Sequence, residues 1–548
     1  MITGIAGCTK LTRHILIFKM AIIINFKNNY AKYIVAAVCL YFILSQVVWT
    51  FRDNTPTRWD DSWNLLESNY YYKGLVGKEL RSPFELDSIF PSFSLSRTAH
   101  PPFFKISSLP LYIIFGFSPD IGITTNFFYY ILLIWCVYTL IKELSGKNAA
   151  LLGIFLISTT PLMVGLSRIY LLDFAFIAML MAGFTFYYKS NNFEKKLYVI
   201  LFAVTFGLGT LTREYYPILL IPPIILMSIL RIKQWNPVRT TNLYLAILII
   251  GLIILTWFPV HASEIVYNIK YRNSGTIAVL KGQPQWNSIE GITYYPYNTI
   301  GNYSFTYLVL FITGSLILIY WFIKKISIDE KTNLLIGLFF YILYIYAVFT
   351  YFPGKDIRLV APAFPAMSII TAVGLWKISL KQLTRLIILG FIILLGTVQI
   401  NLCILGYNSF IQNVNYKQIP ILSGCNQYLL PAKGDNWKII EVMQVIKKDV
   451  ENTRPMVAIY SNTQQFNPIN FQMYSYDLNI PIRYIGAGSD QYGIYDYIVL
   501  KTGDVGIDLK NIIKPTMKRI VNDDNYFEFY SSILPDGASA MIYKRKTS

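Results

Sequence analysis

The stretch Arg58-Trp59-Asp60-Asp61-Ser62-Trp63 follows the first long apolar run of the chain. It places two adjacent carboxylates, flanked by tryptophans, beside a very hydrophobic segment. Of the 548 residues, 54% are hydrophobic and only 14% are charged, and the mean hydropathy is +0.44. Because an average soluble domain contains about 25% charged residues, this composition indicates a membrane protein.

Apolar runs predict a mainly α-helical, polytopic membrane protein with about eleven transmembrane helices. Most runs reach the ~17–25 residues needed to cross a hydrocarbon core of ~30 Å. An apolar, proline-broken run at 103–117 is too short for a confident span and predicts an amphipathic helix in the interface. The predicted spans are 33–51, 121–141, 149–166, 170–188, 197–212, 216–230, 242–260, 303–323, 332–352, 357–376 and 384–406.

The last part of the chain, 407–548, has a different composition, with more Asn, Asp, Gln and Lys. An amphipathic helix is predicted at Trp437–Val450, and strands are predicted at Met456–Tyr460 and Tyr495–Leu500. Weaker strand signals follow near Phe527–Tyr530 and Ala540–Tyr543. Helical signal between strands predicts a small α/β domain.

The distribution of the net charge of +18 predicts the orientation of the chain. If the N-terminus is cytoplasmic, every short cytoplasmic loop carries Lys or Arg, as the positive-inside rule requires. We therefore expect a cytoplasmic or interfacial N-terminus (1–32), a transmembrane domain (33–406) with a first extracytoplasmic loop (52–119), and an extracytoplasmic C-terminal domain. The predicted location is the cytoplasmic membrane, and no nucleic-acid partner is expected. The five cysteines show neither metal-ligand spacing nor a disulfide framework.

Asp60 and Asp61 are the first candidates for chemistry. A carboxylate in a partly desolvated cleft has a raised pKa and can act as a general base. Asp173 lies at the start of an apolar run, where an ionisable group costs a few kcal/mol and usually faces a cavity or a partner. The alternatives are solvated loop acids at 60 and 61, and a structural pair between Arg168 and Asp173.

Cations predicted on the same face could bind an anion. Lys355 and Arg358 lie in one short loop, where Arg offers a planar fork for phosphate and Lys a point charge. Arg213 follows Leu-Thr in another short loop, and His100 precedes two prolines. Lipid headgroup contacts, an Asp356 salt bridge and an Arg213–Glu214 pair remain open as structural readings. Acids and cations at one face suggest that a phosphorylated lipid binds and that a hydroxyl is activated.

These pieces resemble the polyprenyl-phosphate-sugar-dependent glycosyltransferases of the GT-C fold, which include the protein O-mannosyltransferases and the lipid A aminoarabinose transferase. Each piece is a weak signal, whereas their order, spacing and common side are specific. The resemblance covers about 33–380. The matching pieces are Trp59-Asp60-Asp61, His100-Pro101-Pro102, Ser167-Arg168-Ile169-Tyr170-Leu171-Leu172-Asp173, Gly209-Thr210-Leu211-Thr212-Arg213 and Lys355-Asp356-Ile357-Arg358 with Pro362 and Pro365.

The resemblance implies transfer of a sugar from a polyprenyl-phosphate donor to a hydroxyl of a protein, lipid or glycan, with inversion. It implies that Asp60 is the catalytic base. It also implies that Asp173 helps to shape the acceptor or donor site, and Asp61 and Asp173 are further catalytic candidates. Lys355, Arg358, Arg213 and His100 are the expected ligands of the donor phosphate, and Arg168 and Trp59 are candidates for an acceptor-binding or structural role.

Three departures from the family pattern are visible. The family's usual acidic pair is Asp-Glu, whereas this chain has Asp60-Asp61; Lys is common where Arg213 stands; and the aminoarabinose branch has Lys in place of His100. Asp60, Asp61 and Asp173 could share a divalent ion, but they lack the spacing of a ligand set, so no metal site is predicted.

Two other functions remain open from the sequence. One is a transporter or flippase for a lipid-linked sugar, although such proteins often show repeats and midplane binding sites, and no repeat is found here. The other is a polymerase or ligase that uses diphosphate-linked glycans. Such enzymes typically rely on outside arginines, so Asp60 would be dispensable.

Overall fold

The computed structural model describes residues 31–76, 100–267, 278, 282–324, 329–378, 381–405, 428, 431–450, 455–478, 480, 483–486, 492–506 and 510–546. Most of the predicted N-terminal segment, residues 1–30, lies outside these ranges, as do parts of the predicted loop 52–119 and of the region 407–548. The fold is described from the remaining residues.

Helices make up most of the described chain, which confirms the mainly α class. In chain order they are α1 Ala31–Arg52, α2 Trp59–Val76, α3 Phe103–Ser107, α4 Leu109–Phe115, α5 Pro119–Thr124, α6 Asn126–Ser145, α7 Lys147–Ser158, α8 Pro161–Leu166, α9 Leu172–Lys189, α10 Lys196–Thr210, α11 Tyr216–Ile229, α12 Pro237–Ile254, α13 Phe258–Tyr267, α14 Ile289–Tyr303, α15 Phe305–Lys324, α16 Glu330–Tyr351, α17 Ala363–Trp376, α18 Gln382–Leu405, α19 Ile439–Asp449, α20 Pro468–Asp477 and α21 Lys510–Val521.

Each predicted apolar run coincides with a helix or a pair of helices in the described ranges. The run 149–166 is divided between α7 and α8, where Pro161 begins a new helix. Among the residues that the structure describes, six helical segments are long and apolar enough to cross a membrane, namely α1, Pro119–Ser145, α12, α15, α16 and the part of α18 up to Asn401. Others, such as α10 and α11, are apolar but shorter. The total of eleven crossings therefore stays a prediction.

The core of the helical bundle is built around α9 and α17. Almost every residue of α9 from Leu172 to Thr185 is buried, and α9 packs against α6 and α10. A helix that is apolar on all sides is stable in such a central position. A Cβ atom added to Gly374 would lie 2.2 Å from the Gly314 carbonyl oxygen, so α15 and α17 can approach closely only because this position is glycine.

The described C-terminal residues form a five-stranded mixed sheet flanked by helices. Its strands are β1 Met456–Tyr460, β2 Arg483–Gly486, β3 Tyr497–Lys501, β4 Tyr526–Ile533 and β5 Ser539–Arg545, in the order β2-β1-β3-β5-β4. β1 is parallel to β2 and β3, whereas β5 is antiparallel to β3 and β4. One buried cluster joins α19 and α20 to the sheet, and a second joins α21 to it. The predicted α/β fold of this region is confirmed.

The C-terminal domain packs on α2, the helix that carries the acidic pair. Asn470 Nδ2 donates to the Thr57 carbonyl oxygen over 2.7 Å, and Ser62 Oγ donates to Asn470 Oδ1 over 2.5 Å. The rings of Tyr70 and Tyr476 meet edge to face, with centroids 4.6 Å apart. The helix α2 begins at Trp59, so both aspartates lie in its first turn.

Candidate active site

Four charged side chains that are distant in sequence meet at one end of the bundle. Asp60 lies in the first turn of α2, and Asp173 in the first turn of α9. Arg213 lies in the short connection between α10 and α11, and Arg358 in a 3-10 turn, Ile357–Val360, just before α17. We call these four residues the Arg358 cluster. The end of the bundle that holds them, where the C-terminal domain packs on α2, is called the domain end.

Asp173 lies between the two arginines of the cluster. Its Oδ1 is 3.1 Å from Arg213 Nη1, and its Oδ2 is 3.7 Å from Arg358 Nη1. The carboxylate is 2% exposed. Its position at a helix N-terminus, where the macrodipole favours a negative charge, and its two cationic neighbours compensate for this burial. Asp173 thus anchors both guanidinium groups.

Arg358 connects the buried part of the cluster to the solvent-facing part. Its Nη2 is 3.5 Å from Asp60 Oδ2 and 2.8 Å from Asp356 Oδ2. The side chain of Asp60 is 70% exposed, whereas that of Arg358 is 18% exposed. Asp60 therefore presents a carboxylate to solvent with a guanidinium immediately beside it.

Asp61 has a different environment from its neighbour Asp60. It is 4% exposed, and burial, together with the charge of Asp60, raises its pKa to about 7 although Arg58 and Arg358 oppose the shift. Asp61 lines a cavity of about 430 Å³ between the membrane domain and the C-terminal domain, together with Arg58 and Tyr428. The adjacent carboxylates are thus set apart by their environments.

His100 reaches the edge of the cluster through Glu214. Its Nδ1 lies 3.2 Å from Oε2 of Glu214, and Glu214 directly follows Arg213 in the sequence. Burial acts to raise the pKa of Glu214, but His100 and Arg213 together lower it to about 2. The backbone N–H of Phe103 donates to the Leu211 carbonyl oxygen over 2.9 Å, which fixes the segment after His100 against this turn. Glu214 therefore pairs with His100, and Arg213 pairs with Asp173.

Lys355 is close to Arg358 in sequence but makes different contacts. Its Nζ donates to the carbonyl oxygens of Phe349 and Phe352, over 3.1 and 2.7 Å, and to that of Thr350. Since an ammonium group has three N–H donors, these bonds use its full capacity at the C-terminal end of α16. Asp356 instead pairs with Arg358. The role of Lys355 as a phosphate ligand stays a prediction.

Arg168 and Trp59, the candidates for an acceptor-binding or structural role, lie in different settings. Arg168 is 1% exposed, its Nε donates to Gln46 Oε1 over 2.7 Å, and its guanidinium lies 5.3 Å from the ring centroid of Trp49. These contacts join it to α1, whereas Asp173 pairs with Arg213 and Arg358. The indole N–H of Trp59 is buried and has no hydrogen-bond partner among the described residues.

Two groups of residues at the domain end were not identified from the sequence. Lys105 and Glu67 form a buried ion pair between α3 and α2. A single Lys inside the apolar run 103–117 is the signal that could have found it. Tyr428 donates to Asp356, and neither the spacing nor the composition around it indicates this contact.

The arrangement of the acids does not form a metal centre in the described part of the chain. No group of three or more His, Cys, Asp or Glu side chains there is placed to hold a metal ion. Arg358 contacts both Asp60 and Asp173, so a cation already connects these two carboxylates. What the cluster can do chemically is pair an accessible base with cations that can receive an anionic group.

Part of the sequence matches a known family model, and the fold is similar to those of solved structures. Residues 99–259 match the family model of dolichyl-phosphate-mannose-protein mannosyltransferases. The fold is similar to ArnT from Cupriavidus metallidurans bound to undecaprenyl phosphate, with a TM-score of 0.60 and 11% identity over 92% of this chain and 97% of that chain. A search of curated proteins finds no significant match.

A second solved structure shares the architecture. The archaeal oligosaccharyltransferase AglB from Archaeoglobus fulgidus, in complex with an inhibitory peptide and a dolichol-phosphate, has a TM-score of 0.55 and 12% identity, over 94% of this chain and 74% of that chain. The chain therefore has the GT-C fold that its resemblance to the GT-C glycosyltransferases implies.

Proposed function

We propose that this protein is a membrane glycosyltransferase that moves a sugar from a polyprenyl phosphate to an acceptor hydroxyl, with inversion and with Asp60 as the general base. The basic short loops favour an extracytoplasmic site in the cytoplasmic membrane. The similar proteins support the donor class, since one is bound to undecaprenyl phosphate and another to a dolichol-phosphate. The acceptor is a hydroxyl of a protein, lipid or glycan.

The observation that carries this proposal is the contact of Arg358 with both Asp60 and Asp173. Arg358 Nη2 lies 3.5 Å from the exposed Asp60 carboxylate, and Arg358 Nη1 lies 3.7 Å from the buried Asp173 carboxylate. A base and a cation are thus adjacent, as a reaction that removes a proton from one substrate and develops negative charge on another requires. Arg213, held by Asp173, supplies a second cation.

The reaction follows from these positions. Asp60 takes the proton of the acceptor hydroxyl while the hydroxyl oxygen attacks the anomeric carbon. The bond between that carbon and the phosphate oxygen breaks, and the electron pair leaves with the polyprenyl phosphate. Arg358 and Arg213 stabilise the charge that develops on the phosphate. A single displacement inverts the anomeric carbon without a covalent enzyme intermediate.

Purified full-length protein incubated with a panel of polyprenyl-phosphate sugars tests the proposal. We expect mass spectrometry to detect released polyprenyl phosphate, and Arg358→Gln to weaken undecaprenyl phosphate binding by at least about tenfold, the loss of one charged hydrogen bond. Arg239→Gln is the matched control, because Arg239 pairs with Glu194 in a different part of the bundle. Equal binding by wild type and Arg358→Gln would contradict the assignment of the donor site. Flipping of the intact donor without release would favour a transporter.

A further inference from the structure

Tyr428 contacts the Arg358 cluster from a part of the chain that follows the helical bundle. The last bundle helix, α18, ends at Leu405, so Tyr428 belongs to the region between the bundle and the C-terminal domain. Its hydroxyl lies 2.9 Å from each carboxylate oxygen of Asp356, to which it donates, and its ring centroid lies 5.3 Å from the Arg358 guanidinium carbon. The same tyrosine therefore contacts both members of an ion pair.

Asp356 is the group through which this contact acts. Its carboxylate accepts hydrogen bonds from the backbone N–H of Arg358 over 3.0 Å and from Arg358 Nε over 2.9 Å, in addition to its ion pair with Nη2. Asp356 thus fixes both the 3-10 turn and the plane of the guanidinium group. With Asp356 at its Nε edge, Arg358 directs Nη1 to Asp173 and Nη2 towards Asp60.

We propose that Tyr428 is a positioning residue for Arg358 and thereby helps to form the donor-phosphate site. This inference rests on the proposed function, in which Arg358 binds the donor phosphate. The Tyr428 hydroxyl holds the Asp356 carboxylate in the orientation that pairs with Arg358, and the Tyr428 ring packs against the guanidinium. A planar fork binds phosphate through two parallel bonds only when its orientation is fixed.

The chemistry of the phenol suits this role. Burial is the main cause that raises the pKa of Tyr428, and the neighbouring Asp356 adds to the shift. The hydroxyl therefore stays protonated at neutral pH and remains a donor to the carboxylate. Without it, Asp356 loses a partner from outside its own turn, and Arg358 becomes free to pair more closely with Asp60 or Asp173. Those orientations compete with phosphate binding.

The test compares undecaprenyl phosphate binding by full-length wild type, Tyr428→Phe and Tyr428→Ala. We expect binding by Tyr428→Phe to be about threefold to tenfold weaker, which corresponds to one net hydrogen bond, and binding by Tyr428→Ala to be weaker still because the ring contact is also lost. With a polyprenyl-phosphate sugar, kcat/KM for the donor should fall by a similar factor, far less than the loss of about 10²–10⁴-fold expected when a general base is removed, since the Asp60 carboxylate itself remains.

Tyr497→Phe is the matched control, because it removes a tyrosine–aspartate hydrogen bond, to Asp449, inside the C-terminal domain. A double-mutant cycle with Asp356→Asn adds a readout that loss of folding would not produce. If the Tyr428 hydroxyl acts through Asp356, the variant that carries both Tyr428→Phe and Asp356→Asn binds undecaprenyl phosphate no more weakly than Asp356→Asn alone.

The outcomes separate this inference from the proposed function. Weak binding by Arg358→Gln and unchanged binding by Tyr428→Phe would overturn the role of Tyr428 alone. Unchanged binding by both variants would overturn the donor site itself. Additive losses in the double-mutant cycle would also contradict the inference, because Tyr428 would then act independently of Asp356.

Discussion

The Glu67–Lys105 pair and the Arg358 cluster both use α2, yet they differ in their access to solvent. Lys105 and Glu67 are 1% and 3% exposed, and their charged atoms contact each other directly. In the Arg358 cluster, Asp60 is 70% exposed, and the guanidinium between the acids remains partly accessible. We therefore call the Glu67–Lys105 pair sealed, because solvent does not reach it, and the Arg358 cluster open, because a substrate can reach Asp60 and Arg358.

The sealed pair connects α2 to the segment that begins at His100. Lys105 Nζ also donates to the His100 carbonyl oxygen over 3.3 Å, and Ser68 Oγ donates to the Lys105 carbonyl oxygen over 3.0 Å. Tyr170, which precedes α9, donates to Ser68 over 3.0 Å. The sealed pair therefore fixes α2 relative to the start of α9, which carries Asp173. The buried charges of the Glu67–Lys105 pair position this site, whereas the accessible charges of the Arg358 cluster can react.

Asp60→Asn tests the open set and should have the largest effect. Because a general base contributes about 10²–10⁴-fold, we expect kcat for sugar transfer to fall by about that factor. Thermal stability should change little, since the side chain is mostly exposed. Glu441→Gln is the control, because it alters an exposed carboxylate that pairs with Lys438 in the C-terminal domain. Full activity of Asp60→Asn would exclude Asp60 as the general base and would favour an enzyme that uses diphosphate-linked donors.

Lys105→Met tests the sealed set. It leaves the buried Glu67 carboxylate without its ion-pair partner, so we expect unfolding in detergent to require about 3–5 kcal/mol less free energy. Replacing both residues, as Glu67→Leu with Lys105→Met, should restore much of this loss because no uncompensated charge remains. A double variant as unstable as Lys105→Met alone would show that the pair itself contributes the stability.

The fold and the open cluster were predictable because both follow from the membrane. Apolar runs of helical length mark most of the bundle, and alternating spans predict that Asp60, Asp173, Arg213 and Arg358 share one side. Their mutual contacts agree with that expectation. The C-terminal helices α20 and α21 and the short strand β2 were not predicted. The sequence of α20 has little helical periodicity, whereas α21 is as amphipathic as α19 but contains Pro515, a residue that disfavours a helix interior.

What the sequence could not supply is the direction of each side chain. Lys355 and Arg358 are three positions apart, yet one caps a helix and the other bridges two acids. Glu67 and Lys105 pair only after α2 and α3 have packed together. The contact between Tyr428 and Asp356 joins residues 72 positions apart, and no motif or periodicity around either residue predicts it.

Asp61 is a buried acid directly beside the exposed Asp60. Its pKa is raised to about 7 by burial, so the folded protein binds a proton that the unfolded chain releases near pH 4. Stability from this group is therefore fully present below about pH 4 and is lost as the pH rises through about 7. We expect Asp61→Asn to be more stable than wild type at pH 8, by up to about 4 kcal/mol, and equally stable near pH 4. Thermal melts in detergent across this range measure the difference, and parallel curves for the two proteins would refute it.

Lys355→Met should have the smallest effect, and it separates a sealed cation from an open one within a single loop. Because the Lys355 ammonium donates all three N–H groups to carbonyl oxygens at the end of α16, we expect a stability loss of about 1–2 kcal/mol and less than a threefold change in undecaprenyl phosphate binding. Lys438→Met, at the surface of the C-terminal domain, controls for the removal of a positive charge. Binding as weak as that of Arg358→Gln would instead make Lys355 a phosphate ligand, as the sequence predicts. Its bonds to the helix end would then have to break when the donor binds, and α16 would end differently in the donor complex.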